Sequence, residues 1–113
     1  MFFGCYNINI HRYSTQSTKG TFMFHCAKFV TEFQMEGDYL EFGVFDGRTM
    51  SLAWQTIGRR MNRMRFVGFD SFAGIQDAMP DEDYADFDYY SNIETLNHHM
   101  TCVGADPERV LTV

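Results

Sequence analysis

Apolar residues recur at helical spacing from Phe22 onward, at Phe22, Cys26, Phe29, Val30 and Phe33. They predict a short amphipathic helix that presents this stripe to a core and ends before "EGD". The run "YLEFGVF" (39–45) then reads as a buried strand. Thr49 is a suitable N-cap for a second helix, "MSLAWQTIGRRMNRM", with Met50, Ala53, Trp54, Ile57, Met61 and Met64 along one face. Arg59, Arg60 and Arg63 would occupy its last turns, where cations suit the negative end of the helix dipole. "RFVGFD" is a second short apolar strand, and the strand-helix-strand unit so formed has the size of a parallel crossover.

Beyond it, Pro80 and a crowd of aspartates predict irregular chain to about Asp86. Ser91 and Glu94 have capping-box spacing, Ile93, Leu96, Met100 and Val103 form a stripe, and Gly104 ends the third helix. "DPERVLTV" is a third strand. Residues 1–20 show no sustained period and are read as an N-terminal arm, leaving 21–113 as the folded unit. Alternating helices and strands predict an α/β domain with a partial parallel sheet of three strands and flanking helices. In such a sheet ligands bind outside the carboxyl ends of the strands, where Gly43, Gly47 and Asp70 fall.

Composition changes this picture in two places. Disorder is not the default reading for a 45% hydrophobic content with twelve Phe and six Tyr in 113 residues. The net charge of −6 belongs to one segment, since Asp77, Asp81, Glu82, Asp83, Asp86, Asp88 and Glu94 leave eight acids against nine bases elsewhere. No basic stripe argues for nucleic acid. No run approaches about 18 apolar residues, so no membrane partner is expected. Cys5, Cys26 and Cys102 are odd in number and widely spaced, and are read as reduced thiols of a cytoplasmic protein.

The chemistry concentrates in "EFGVFDGRT" (41–49), where a strand turns into a helix. Glycines there let backbone approach a ligand and take turn conformations that a Cβ obstructs. Asp70 closes the next strand 23 residues after Gly47, a spacing at which a carboxylate can accept both ribose hydroxyls of a nucleoside. A dinucleotide fingerprint needs a glycine where Phe45 stands, which disfavours pyrophosphate.

The same residues resemble the E/D-x-G-x-G-x-G loop of class I S-adenosylmethionine (SAM) dependent methyltransferases. "GDYLEFGVFDGRT" followed by "FVGFDSFAGIQD" is similar to the paired signature of the TylF/macrocin O-methyltransferase family, E-x-G-V-x-x-G and then G-F-D-S-F-x-G-L/I-P. The likeness spans residues 22 to 113, departing at Asp46, often basic in the family, and at Gln76, usually proline. It implies a Rossmann-like methyltransferase fold and methylation of a hydroxyl on a small molecule such as a sugar or natural product.

Carried onto this sequence, the resemblance implies SAM contacts at Glu41, Gly43, Phe45, Gly47, Arg48, Thr49, Asp70, Ser71 and Phe72. Gly43 and Gly47 would flank the methionine part, with Glu41 ordering the loop and holding the amino group. Arg48 and Thr49 would lie near the methionine carboxylate, Asp70 would clamp the ribose, and Ser71 and Phe72 would meet the adenosine edge. No catalytic residue and no metal ligand is assigned, because the family's divalent metal and base lie in a later half that these residues do not include.

The chain is accordingly read as the truncated, cofactor-binding half of an O-methyltransferase, not expected to catalyse alone. Its first strand would be left as an apolar edge open to self-association. The competing readings are an NAD- or nucleotide-binding oxidoreductase fragment and a non-catalytic dimerising module. Glu41 at a strand end, Asp70 as a turn residue and Phe72 as a packing residue are the bland alternatives. His98 and His99 are expected to face solvent, and the acidic run to be a solvated loop.

Overall fold

The computed structural model of the chain describes residues 18–74, 80 and 90–113. The arm up to residue 17 and most of the acidic run lie outside them. Helix α1 (Thr18–Glu32) leads to strand β1 (Tyr39–Phe42), helix α2 (Arg48–Ala53), strand β2 (Phe66–Phe69), helix α3 (Ile93–Cys102) and strand β3 (Val110–Thr112). The strands form one parallel sheet in the order β1-β2-β3. The expected α/β architecture is therefore present, with β2 central and β1 at one edge.

Register decides which side chains share a face. Tyr39, Phe66 and Val110 lie side by side, as do Leu40, Val67 and Leu111 on the opposite face. The first face carries the core. Phe66 is fully buried, stacked on Tyr39 at 5.0 Å and tilted against Trp54 at 5.1 Å. Around it pack Met50, Ala53 and Ile57 from the α2 region and Leu96, Met100 and Val103 from the α3 region. Each large side chain so buried contributes roughly 1.5–3 kcal/mol. Among the described residues the second face is largely bare: Leu40 is 54% exposed, Phe42 75% and Val113 71%, with Val67 and Phe69 half-buried.

Three local expectations are corrected. On α1 the inward positions are Gly20, Met23, Ala27 and Val30, while Phe22, Phe29 and Phe33 point to solvent at 67, 56 and 64% exposure. Two apolar stripes share this helix, and the one with the smaller residues packs against α2 and the turn that follows it.

The second helix is shorter than its apolar pattern. After Ala53 the chain widens into a π-type turn over Trp54–Gly58, in which the Arg59 N–H donates to the Trp54 carbonyl. Helix does not continue to Met64, and Arg109 satisfies carbonyls left open there. Its guanidinium donates to Gly58, Met61 and Met64 oxygens at 3.0, 2.6 and 2.9 Å and lies 4.4 Å over the Trp54 ring.

The N-cap of α3 is Asn92, whose side chain accepts the Thr95 N–H, while Ser91 is buried. Asn92 holds the extended backbone that a cap requires, so the helix starts one residue later than the Ser91 spacing suggests.

Cys26 is a free thiol, whereas Cys102 is disulfide-bonded. Sequence spacing does not say which cysteines a fold brings together, and the reading of three reduced thiols does not hold at Cys102. Among the described residues no helix is long and apolar enough to cross a membrane.

Candidate functional site

Strand β1 ends because its backbone turns left-handed. Gly43 has φ +78°, yet its N–H still donates to the Phe69 carbonyl at 2.8 Å, so the loop leaves the sheet from a fixed point. Phe45 (φ +52°) and Gly47 (φ +82°) follow in the same region of backbone space, unusual for a phenylalanine. The Gly47 N–H donates to the Val44 carbonyl at 2.9 Å, and Gly47 rather than Thr49 is the N-cap of α2. A Cβ on Gly47 would overlap the Leu96 side chain. One on Gly43 would meet nothing within 4 Å, so that side of the loop is open to an approaching group.

Asp70 joins this loop to the end of β2. One carboxylate oxygen accepts the Phe45 N–H at 2.8 Å and the other the Phe72 N–H at 2.9 Å. A carboxylate offers about four acceptor positions, which leaves room for two further donors such as vicinal hydroxyls. Ser71 is exposed and its hydroxyl accepts the Ala73 N–H at 3.2 Å. Phe72 is half-buried against the core with φ +57°. Gly43, Phe45, Gly47, Asp70, Ser71 and Phe72 thus lie together at the carboxyl ends of β1 and β2.

The remaining predicted residues have local partners. Glu41 lies on the covered face and accepts the Tyr39 hydroxyl at 2.5 Å. Burial pushes its carboxyl above the ordinary value, opposed by the Tyr39 hydrogen bond and the Lys19 charge. The same burial, with the Glu41 charge, pushes the Tyr39 phenol upward. Arg48 is 71% exposed and pairs with Asp46 at 2.9 Å. Thr49 is half-buried in the first turn of α2.

His99 is the residue that the sequence reading missed. It does not simply face solvent: its ring is half-buried and Nδ1 donates to the Asp46 carbonyl at 2.5 Å. Its spacing of three from Leu96, on the helical face that meets the loop, is the signal that could have found it. No group of three or more metal-binding side chains occurs among the described residues. An open hollow of about 630 Å³ lies at the other end of the strands, lined by residues 34–38 and 60–65, away from the glycine loop.

No protein-family model matches the chain, and no curated protein matches it. Among solved structures it is similar to the crystal structure of CalS11, a calicheamicin methyltransferase, with a TM-score of 0.58 and 15% identity. The match covers 96% of this chain and 51% of that one, so the chain spans about half the length of the structure it resembles. At that identity the likeness establishes the fold alone, an open Rossmann-like parallel sheet with flanking helices.

Proposed function

We propose that this chain is the cofactor-binding part of a SAM-dependent O-methyltransferase of the TylF/macrocin type, acting on a hydroxyl of a small molecule. The observation that carries the reading is the hydrogen bond from the Phe45 N–H to Asp70, which sets the glycine loop and the β2 carboxylate around one opening. The likeness to a methyltransferase fold supports it. When bound, SAM supplies a methyl group on a sulfonium, and the protein contributes alignment. Asp70 would accept the ribose hydroxyls through its remaining lone pairs. Gly43 would let the methionine part pass close to backbone, and Phe72 would lie at the adenine edge. Arg48 and Thr49 would serve the methionine carboxylate, with Arg48 exchanging Asp46 for the ligand. Glu41 would act as countercharge for the amino group from the covered side.

Calorimetric titration with SAM, its demethylated product and NAD tests this reading. The first two are expected to bind and NAD not to. Binding of NAD without SAM would replace the reading by a dinucleotide site.

The bare face and free edge of β1 support a second element of the proposal, association with a second copy of the chain. Leu40 and Phe42 would be covered in that pairing.

A further inference from the structure

We infer that His99 is a positioning residue for the cofactor loop, fixing the direction of its peptide groups from the α3 side. The inference rests on the cofactor reading proposed above. Helix α3 touches the loop at two points three residues apart. Leu96 fills the space beside Gly47 that a Cβ would need, and His99 Nδ1 donates to the Asp46 carbonyl. Asp46 lies between two residues with positive φ, Phe45 and Gly47. Its carbonyl direction therefore sets how the flanking amides are presented.

From the opposite side Asp70 holds the Phe45 N–H. The loop is thus gripped at consecutive residues, by a carboxylate from β2 and an imidazole from α3. The peptide between Asp46 and Gly47 is held at both ends, its N–H on the Val44 carbonyl within the loop and its carbonyl on the imidazole. The imidazole bond is the hold that comes from outside the loop, and it is in place before a ligand arrives, which lowers the ordering cost of binding. His98, on the adjacent helical position, instead approaches Cys102 at 3.5 Å and serves as an internal control.

The test is SAM titration calorimetry on the whole chain with His99→Ala, His99→Asn, His99→Gln and His98→Ala. Asparagine places an amide donor where Nδ1 sits, whereas glutamine places it further out. His99→Ala is expected to weaken SAM binding about fivefold, in the range of one lost hydrogen bond. His99→Asn should return to within about twofold of the parent, His99→Gln should stay weakened, and His98→Ala should bind as the parent does. Parental affinity in His99→Ala, or equal weakening in His99→Asn and His99→Ala, would overturn the inference.

If the parent chain binds no SAM, the cofactor reading fails while the positioning role is still decided by amide hydrogen exchange. Faster exchange at the Gly47 N–H in His99→Ala, restored by His99→Asn, supports it. Unchanged exchange refutes it.

Discussion

Asp70 and Phe45, 25 residues apart in sequence, are joined by a 2.8 Å hydrogen bond from the Phe45 backbone N–H to a carboxylate oxygen. That bond ties the glycine loop to the end of β2 and holds a phenylalanine at φ +52°. Replacing Asp70 by alanine removes acceptors from two amides at once. Hydrogen bonds to a charged acceptor contribute about 1.5–3 kcal/mol each, so Asp70→Ala is expected to cost at least about 2 kcal/mol in urea unfolding. SAM affinity should fall further than stability accounts for. Undiminished SAM binding in a folded variant would remove Asp70 from the site.

Gly47→Ala meets two obstacles, a left-handed backbone and the Leu96 side chain. A loss of about 1–3 kcal/mol is expected by chemical denaturation. Pairing it with Leu96→Ala should recover only the steric part, so the double variant should lose less than the sum of the two single losses. Simple additivity would show that the overlap is not the cause.

Arg109→Ala would remove a donor from three carbonyls, of which Met61 keeps the Met64 N–H, and uncover the Trp54 ring. The expected cost is about 2–4 kcal/mol. Lysine keeps the charge but not the planar fork, and Arg109→Lys should recover less than half of the loss in thermal unfolding. Full recovery would mean that charge alone holds the turn.

Glu41 makes stability depend on pH in an unusual direction. Its carboxyl is raised above the ordinary 4.5, chiefly by burial, so the folded state binds its proton more tightly than the unfolded chain does. The contribution is fully present below pH 4.5 and is lost as pH rises through the raised folded value, after which it is constant. Tyr39, raised from 10.0, adds a second loss only above pH 10. Denaturation midpoints measured from pH 4 upward should show the first decline in the parent and a flatter profile in Glu41→Gln, which keeps an acceptor for the Tyr39 hydroxyl. An identical slope in both proteins would assign the decline to other groups.

Leu40→Lys with Phe42→Asp places charges on the bare face without touching the core. Analytical ultracentrifugation should show the parent associating at tens of micromolar and the double variant sedimenting as a monomer. A monomeric parent would end the proposal of self-pairing.

How much of this was legible beforehand differs by element. The three strands, their parallel order and the placement of Gly43, Gly47 and Asp70 follow from local signals, because apolar runs and glycines state their own requirements. The inward face of α1 did not, since two apolar stripes compete and only the fit of Gly20 and Ala27 against neighbours chooses between them. The segment after α2 is tied to Arg109, some 45 residues further on, and no window along the chain contains that pairing. The hold of His99 on the Asp46 carbonyl is likewise tertiary. Asp70 was assigned to a ribose from its spacing, while its bonds to two backbone amides depend on how the loops fold around it.

The uncovered side of the sheet has a relief of its own. Phe42 and Phe69 lie nearly parallel, 4.7 Å apart, so their rings stack on each other across the two strands and turn their edges outward at the ligand end, with aliphatic Leu40, Val67 and Leu111 in the row behind. A surface that settles there would meet aromatic edges at one end and branched aliphatic side chains at the other, and greasiness alone would not match both.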